Sequence, residues 1–216
     1  MTKLITVTGR SGAGKTTVAA ILAEKLSEKY TVCLVDNNRD NINIYSSLST
    51  IENIKLYFCL NDKASCCRAI KESAAKLNKN LYFFSGSNEL LTKDEIQIFK
   101  EQEIFEYIIL DSGINVEQSD FEITVINPNR REYEMTESSD KNIIVINRYA
   151  ENTEFKVDAK DFKLYFCPEI INFPNGFFLT LPEENEKEIK KLIEKITGER
   201  LKNSKTRPKF RLFGGI

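Results

Sequence analysis

The stretch Gly9-Arg10-Ser11-Gly12-Ala13-Gly14-Lys15-Thr16-Thr17 matches G-x-x-x-x-G-K-[S/T]. It lies between a β-branched apolar run over 4–8 and an amphipathic helical pattern over 15–29, the strand–loop–helix setting in which that motif has chemical meaning. Glycines let such a loop curl until successive backbone N–H groups converge on phosphate oxygens, and the helix that follows adds its positive N-terminal end. In this reading the phosphates are cradled by Gly9, Arg10, Ser11, Gly12, Ala13, Gly14, Lys15, Thr16 and Thr17. Lys15 reaches the terminal phosphates, and the Thr16 hydroxyl helps to hold Mg²⁺. A plain glycine turn entering a helix is the bland alternative.

Working outward, short β-branched or aromatic runs alternate with helical patterns. Strands are predicted over 4–8, 31–36, 55–59, 81–85, 107–111, 122–127, 142–147, 163–166 and 177–181, and helices over 15–29, 62–77, 93–102, 131–138 and 183–196. The runs Tyr107-Ile108-Ile109-Leu110 and Ile143-Ile144-Val145-Ile146 are apolar on both faces, as when helices cover both sides of a parallel sheet. The predicted fold class is therefore α/β, a three-layer P-loop NTPase fold with a mostly parallel twisted sheet flanked by helices. Two strand ends carry acids, Leu34-Val35-Asp36 and Ile109-Leu110-Asp111. Both face the carboxyl edge of the sheet, where ligands of such folds bind. Asp111 is the expected Walker B carboxylate, with the start of a turn as its alternative, and Thr16, Asp36 and Asp111 together form the expected Mg²⁺ set.

Composition narrows the chemistry. The chain has 216 residues, enough for one domain with a full core, and 31 Lys plus Arg balance 32 Asp plus Glu, so no bulk field favours nucleic acid. Histidine is absent, which removes imidazole bases, His metal sites and His-activated nucleophiles together. The five cysteines, Cys33, Cys59, Cys66, Cys67 and Cys167, show no CxxC spacing, and Met1 to Lys3 run straight into apolar sequence without a signal peptide. A reduced, cytoplasmic setting is expected. Cys66, Ile70 and Leu77 trace the apolar face of the helix over 62–77, which makes Cys66 core and Cys67 near-surface rather than a metal pair.

With these motifs in hand, the chain resembles the MinD/ParA family of deviant Walker A ATPases over residues 3 to about 197. The counterparts are Arg10-Ser11-Gly12-Ala13-Gly14-Lys15-Thr16, Asp36-Asn37-Asn38, Asp111-Ser112 and Val145-Ile146-Asn147-Arg148. The resemblance implies ATP and Mg²⁺ as ligands, a nucleotide-dependent homodimer, and a part in spatial positioning or partitioning alongside a protein partner, such as a secretion or pilus apparatus. It assigns Asn147 to the adenine base, with Arg148 beside it, and a strand-end cap is the other reading of Asn147. Two positions depart from the family pattern. Arg10 stands where the family has a lysine that reaches the partner's phosphates, and a planar guanidinium is not a point-like ammonium. Asn38 stands where a carboxylate orients the attacking water, and an amide cannot accept its proton. Asp40 is a minor candidate to replace it. The expected catalytic set is Lys15, Asn38, Arg10 and Asp36, with slow hydrolysis as in the atypical, pilus-localising branch. A small-molecule kinase or ligase on the same scaffold, and a nucleotide-binding module without hydrolysis, remain open.

The domain is expected to span 1–197. Residues 198–216 form a basic tail ending Lys209-Phe210-Arg211-Leu212-Phe213. Phe210, Leu212 and Phe213 among cations resemble the amphipathic membrane-targeting end of MinD-type proteins, and a protein-docking peptide or a solvated tail are the alternatives.

Overall fold

A computed structural model of the chain describes residues 1–37, 63–84, 90–112, 116–137, 139–151, 153–167 and 181–200. Asn38, Asp40, Cys59, the strand predicted over 55–59, all but the last residue of that over 177–181, and the tail beyond 200 lie outside the described residues.

Strands β1 (Lys3–Gly9), β2 (Val32–Asn37), β3 (Ala75–Lys76), β4 (Leu81–Phe84), β5 (Tyr107–Ser112), β6 (Phe121–Ile126), β7 (Asn142–Tyr149) and β8 (Phe162–Tyr165) form one sheet in the order β3-β4-β2-β5-β1-β6-β7-β8. All neighbours are parallel except β3 with β4. The helices are α1 (Lys15–Ser27), α2 (Lys63–Ser73), α3 (Lys93–Glu101), α4 (Arg130–Glu134) and α5 (Glu183–Thr197).

Period-two alternation sorts strand side chains to opposite faces. Ile5, Val7, Val32, Leu34, Ile109, Val125, Val145 and Leu164 pack with α1 and α5, through Val18, Leu22, Ile189 and Ile193. Leu4, Cys33, Val35, Ile108 and Leu110 pack on the other face with Cys66 and Ile70 of α2 and Ile96 and Phe99 of α3. These are the three layers the sequence implies. Six consecutive residues of α1, Val18 to Ala23, are buried, so this helix is enclosed around most of its circumference rather than amphipathic. Its small Ala19, Ala20 and Ala23 allow close approach on every side.

Helix α2 ends earlier than its apolar pattern suggests. The Asn78 carboxamide oxygen accepts from the backbone N–H of Asn80 and of Leu81, each at 2.8 Å, and this turn folds Ala75–Lys76 back against β4. Leu77 therefore packs with the α1–α5 core, across the sheet from Cys66 and Ile70. Cys66 is core and Cys67 half-buried, as read from the sequence. Helix α4 is likewise shorter than the span over 131–138. At the far edge, Asn185 of α5 is wholly buried and grips β8, its amide oxygen accepting from Tyr165 N (2.6 Å) and its amide nitrogen donating to Tyr165 O (3.1 Å). Among the described residues no helix is long and apolar enough to cross a membrane.

Candidate nucleotide site

The same alternation decides where the predicted site residues point. Asp36 follows Leu34, Asp111 follows Ile109 and Asn147 follows Val145, so all three continue the α1 face at the carboxyl ends of β2, β5 and β7. Asp36 and Asp111 are register partners on adjacent strands, and Val7, just before the loop, pairs with Asp111 on its other side. The topology thus gathers Lys15, Thr16, Asp36, Asp111 and Asn147 beneath one loop.

Close packing fixes that loop. Gly9 has φ 137° and Gly14 has φ 92°; a Cβ on the first would collide with the Val125 carbonyl, and one on the second with the Asn147 amide. The Ala13 N–H donates to Arg10 O at 3.2 Å, Lys15 Nζ donates to the same carbonyl at 3.1 Å, and Asn147 Nδ2 donates to Ala13 O at 2.8 Å. Gly14 is the N-cap of α1 and supplies no side-chain cap, so the first-turn amides keep their donor capacity for an anion. Arg10, Ser11 and Gly12 are exposed, Ala13 and Lys15 buried, and Thr16 and Thr17 half-buried.

Asp111 is 2% exposed, and neither carboxylate oxygen has a hydrogen-bond partner. Burial pushes its pKa from 3.8 up to about 6. The nearby Thr16 hydroxyl and the Lys15 charge pull it down, and the Asp36 charge adds to the rise. The Thr16 hydroxyl is close enough to act on the carboxyl without meeting hydrogen-bond geometry. A buried, unpartnered carboxylate beside a threonine hydroxyl and a second carboxylate is a hard oxygen donor set, and such a set suits Mg²⁺.

Asn147 and Arg148 sit at a register irregularity of β7, with Arg148 at φ 57°. Asn147 itself is still in register, opposite Leu164, and the left-handed Arg148, costly for a side chain other than glycine, breaks the register just after it with its own side chain exposed. Through its bond to Ala13 O, Asn147 ties the end of β7 to the loop over 9–17.

Two contacts have no forecast in the sequence reading. Arg10 Nε lies 3.7 Å from Glu132 Oε1, so its charge is met within its own chain. The signal was Asn129-x-x-Glu132, an N-cap with Asn129 Oδ1 accepting from Glu132 N at 3.1 Å, which sets Glu132 on the first turn of α4. Asn37, 1% exposed, faces away from the loop and clasps Leu91, accepting from its N–H at 2.7 Å and donating to its carbonyl at 3.4 Å. That clasp fixes the end of β2, where Asp36 sits.

The family described as the CobQ/CobB/MinD/ParA nucleotide binding domain matches residues 4–200. No curated protein matches the chain. Among solved structures, the ParA family ATPase from Chlorobium tepidum TLS is 14% identical with a TM-score of 0.63, covering 90% of this chain and 98% of that one. The MinC:MinD cell division protein complex of Aquifex aeolicus matches at 16% identity and TM-score 0.65, with 95% and 99% covered. A putative plasmid partition protein of Borrelia burgdorferi B31, bound to AMPPNP, matches at 17% identity and TM-score 0.60, with 92% and 99% covered. At these identities the likeness is one of fold.

Proposed function

The chain belongs to the CobQ/CobB/MinD/ParA nucleotide-binding family, and from that premise we propose that it is an ATP-dependent dimerisation switch of the positioning or partitioning kind, with slow hydrolysis. The observation that carries this is Asp111: a carboxylate buried and unpartnered at the end of β5, beside Lys15 and Thr16 of the phosphate loop. Such a group is costly unless a cation meets it.

In this reading the loop amides and Lys15 bind the β- and γ-phosphates, and Thr16, Asp36 and Asp111 hold Mg²⁺. Bound there, Mg²⁺ supplies charge neutralisation at the phosphates. Asn147 orients the base while holding the loop through Ala13. Arg10 exchanges Glu132 for the phosphates of a second copy, the part an arginine finger plays. Asn38, lacking a carboxylate, orients water without accepting its proton, which supports slow turnover. The AMPPNP of the Borrelia protein is consistent with an adenine nucleotide, and the MinC:MinD complex with a protein partner. The tail with Phe210, Leu212 and Phe213 adds a weak anionic-membrane contact that pairing of two copies strengthens.

Sedimentation of the purified protein with MgADP and then with a nonhydrolysable ATP analogue tests the switch: one subunit is expected in the first and two in the second, and a monomer in both refutes it. Steady-state turnover near ~10 per second would refute slow hydrolysis.

A further inference from the structure

Phe166 is one of four large apolar side chains exposed among the described residues, at 54%. It directly follows β8 and still joins the sheet, its N–H donating to Tyr149 O at 3.1 Å. Phe162 and Leu164, two and four residues earlier, lie in the α1–α5 core, so alternation carries Phe166 to the same face just past the strand end. Leu164 is the register partner of Asn147. Phe166 therefore stands one strand over from Asn147 and one side-chain step further toward the carboxyl edge, about 8 Å away by strand spacing and rise. Asn147 in turn touches the phosphate loop through Ala13. Among the described residues its neighbour rings, Tyr149 and Tyr165, pack edge-on to each other at 5.5 Å and not on Phe166.

A single exposed ring is ordinary on a protein surface, but this one stands beside Asn147 at the edge where the phosphate loop lies and offers a flat apolar face there. A purine is flat and has a π-face. We infer that Phe166 is the shelf on which the nucleotide's base stacks, while Asn147 meets the base at its edge, and that Phe166 sets the preference for a purine nucleotide over bare phosphate. This rests on the reading of the site as an ATP site. Stacking of a base on an aromatic side chain commonly changes affinity by roughly tenfold on truncation to alanine.

The chain contains no tryptophan among its aromatics, so Phe166→Trp places a single tryptophan at the shelf, excited selectively at the red edge where its tyrosines do not absorb. Three proteins, wild type, Phe166→Ala and Phe166→Trp, are titrated with MgATP and with magnesium tripolyphosphate by calorimetry, and the tryptophan variant also by emission. The expected result is an ATP affinity about tenfold weaker in Phe166→Ala, unchanged tripolyphosphate affinity, wild-type-like ATP affinity in Phe166→Trp, and quenching by MgATP but not by tripolyphosphate. Equal ATP affinity in wild type and Phe166→Ala, or equal emission changes with both ligands, overturns the shelf alone. No heat from wild type with MgATP overturns the ATP site itself and the shelf with it.

Discussion

Asn147 Nδ2 donates to the carbonyl oxygen of Ala13 at 2.8 Å while crowding the place where Gly14 would carry a Cβ, so the end of β7 is tied directly to the loop over 9–17. Asn147→Ala removes the donor and opens space beside Gly14. A loss of about 1 kcal/mol in stability is expected, together with weaker ATP binding. Asn147→Asp should be worse, because a carboxylate there faces a carbonyl oxygen with no proton to offer. Denaturant melts and calorimetry of both variants check the order, and an aspartate variant as stable as wild type would break the link.

In the proposed site, Asp111 should make the stability of the apo protein and the binding of magnesium respond oppositely to pH. Its carboxyl has a folded pKa of about 6 against an ordinary value of 3.8, chiefly from burial. Raised in the folded state, it contributes stability that is fully present below 3.8 and lost as pH rises through about 6, a swing of order 3 kcal/mol at most. Between pH 4 and 6 the apo protein should therefore gain from this group as pH falls, and Asp111→Asn should be more stable than wild type at pH 7.5. Mg²⁺ needs the ionised form, so magnesium affinity should drop about tenfold from pH 7 to pH 5. Apo thermal melts and magnesium titrations across pH, on wild type and Asp111→Asn, test both signs. An asparagine variant less stable at pH 7.5 would show that the carboxylate is not strained.

Much of this arrangement is legible in the sequence alone. Glycine spacing and the alternation of Leu34-Val35-Asp36 and Ile109-Leu110-Asp111 were enough to place the loop and both acids, because strand periodicity is a backbone property. Helix α2 shows the limit: Ser73-Ala74-Ala75-Lys76-Leu77 suits a helix locally, and the Asn78 turn with the pairing of Ala75 to Phe83, eight positions on, outweighs that preference and folds it into a hairpin. The Arg10–Glu132 pair joins residues more than a hundred positions apart, and no local pattern encodes it. The resemblance picks out Asn147, but its bond to Ala13 joins residues 134 positions apart, and no local pattern states it.

Arg10 and Glu132 offer a separable test of the switch. Their contact is long and Arg10 is largely exposed, so Glu132→Ala should change stability by less than about 1 kcal/mol. Freed from its own-chain partner, Arg10 should then engage a second copy more readily, giving a larger dimer fraction with the nonhydrolysable analogue. Arg10→Ala should leave monomer affinity for MgADP unchanged and remove the dimer. Sedimentation at several protein concentrations reads all three proteins, and a dimer that survives Arg10→Ala would remove arginine from the interface.

In the proposed reading, Asn38→Asp supplies the carboxylate that the family pattern uses to orient the attacking water. If slow turnover comes from the missing base, this one change should raise ATP hydrolysis by about tenfold or more while leaving MgADP affinity alone, since a positioned general base commonly contributes 10²- to 10⁴-fold. Lys15→Ala should do the reverse, weakening nucleotide binding so that turnover falls in both backgrounds. The double variant is the control: activity that persists in Asn38→Asp/Lys15→Ala would trace to a contaminating enzyme, whereas loss of the gain assigns it to this site. Unaltered turnover in Asn38→Asp, with binding intact, would place the slow step elsewhere, in dimer formation or product release.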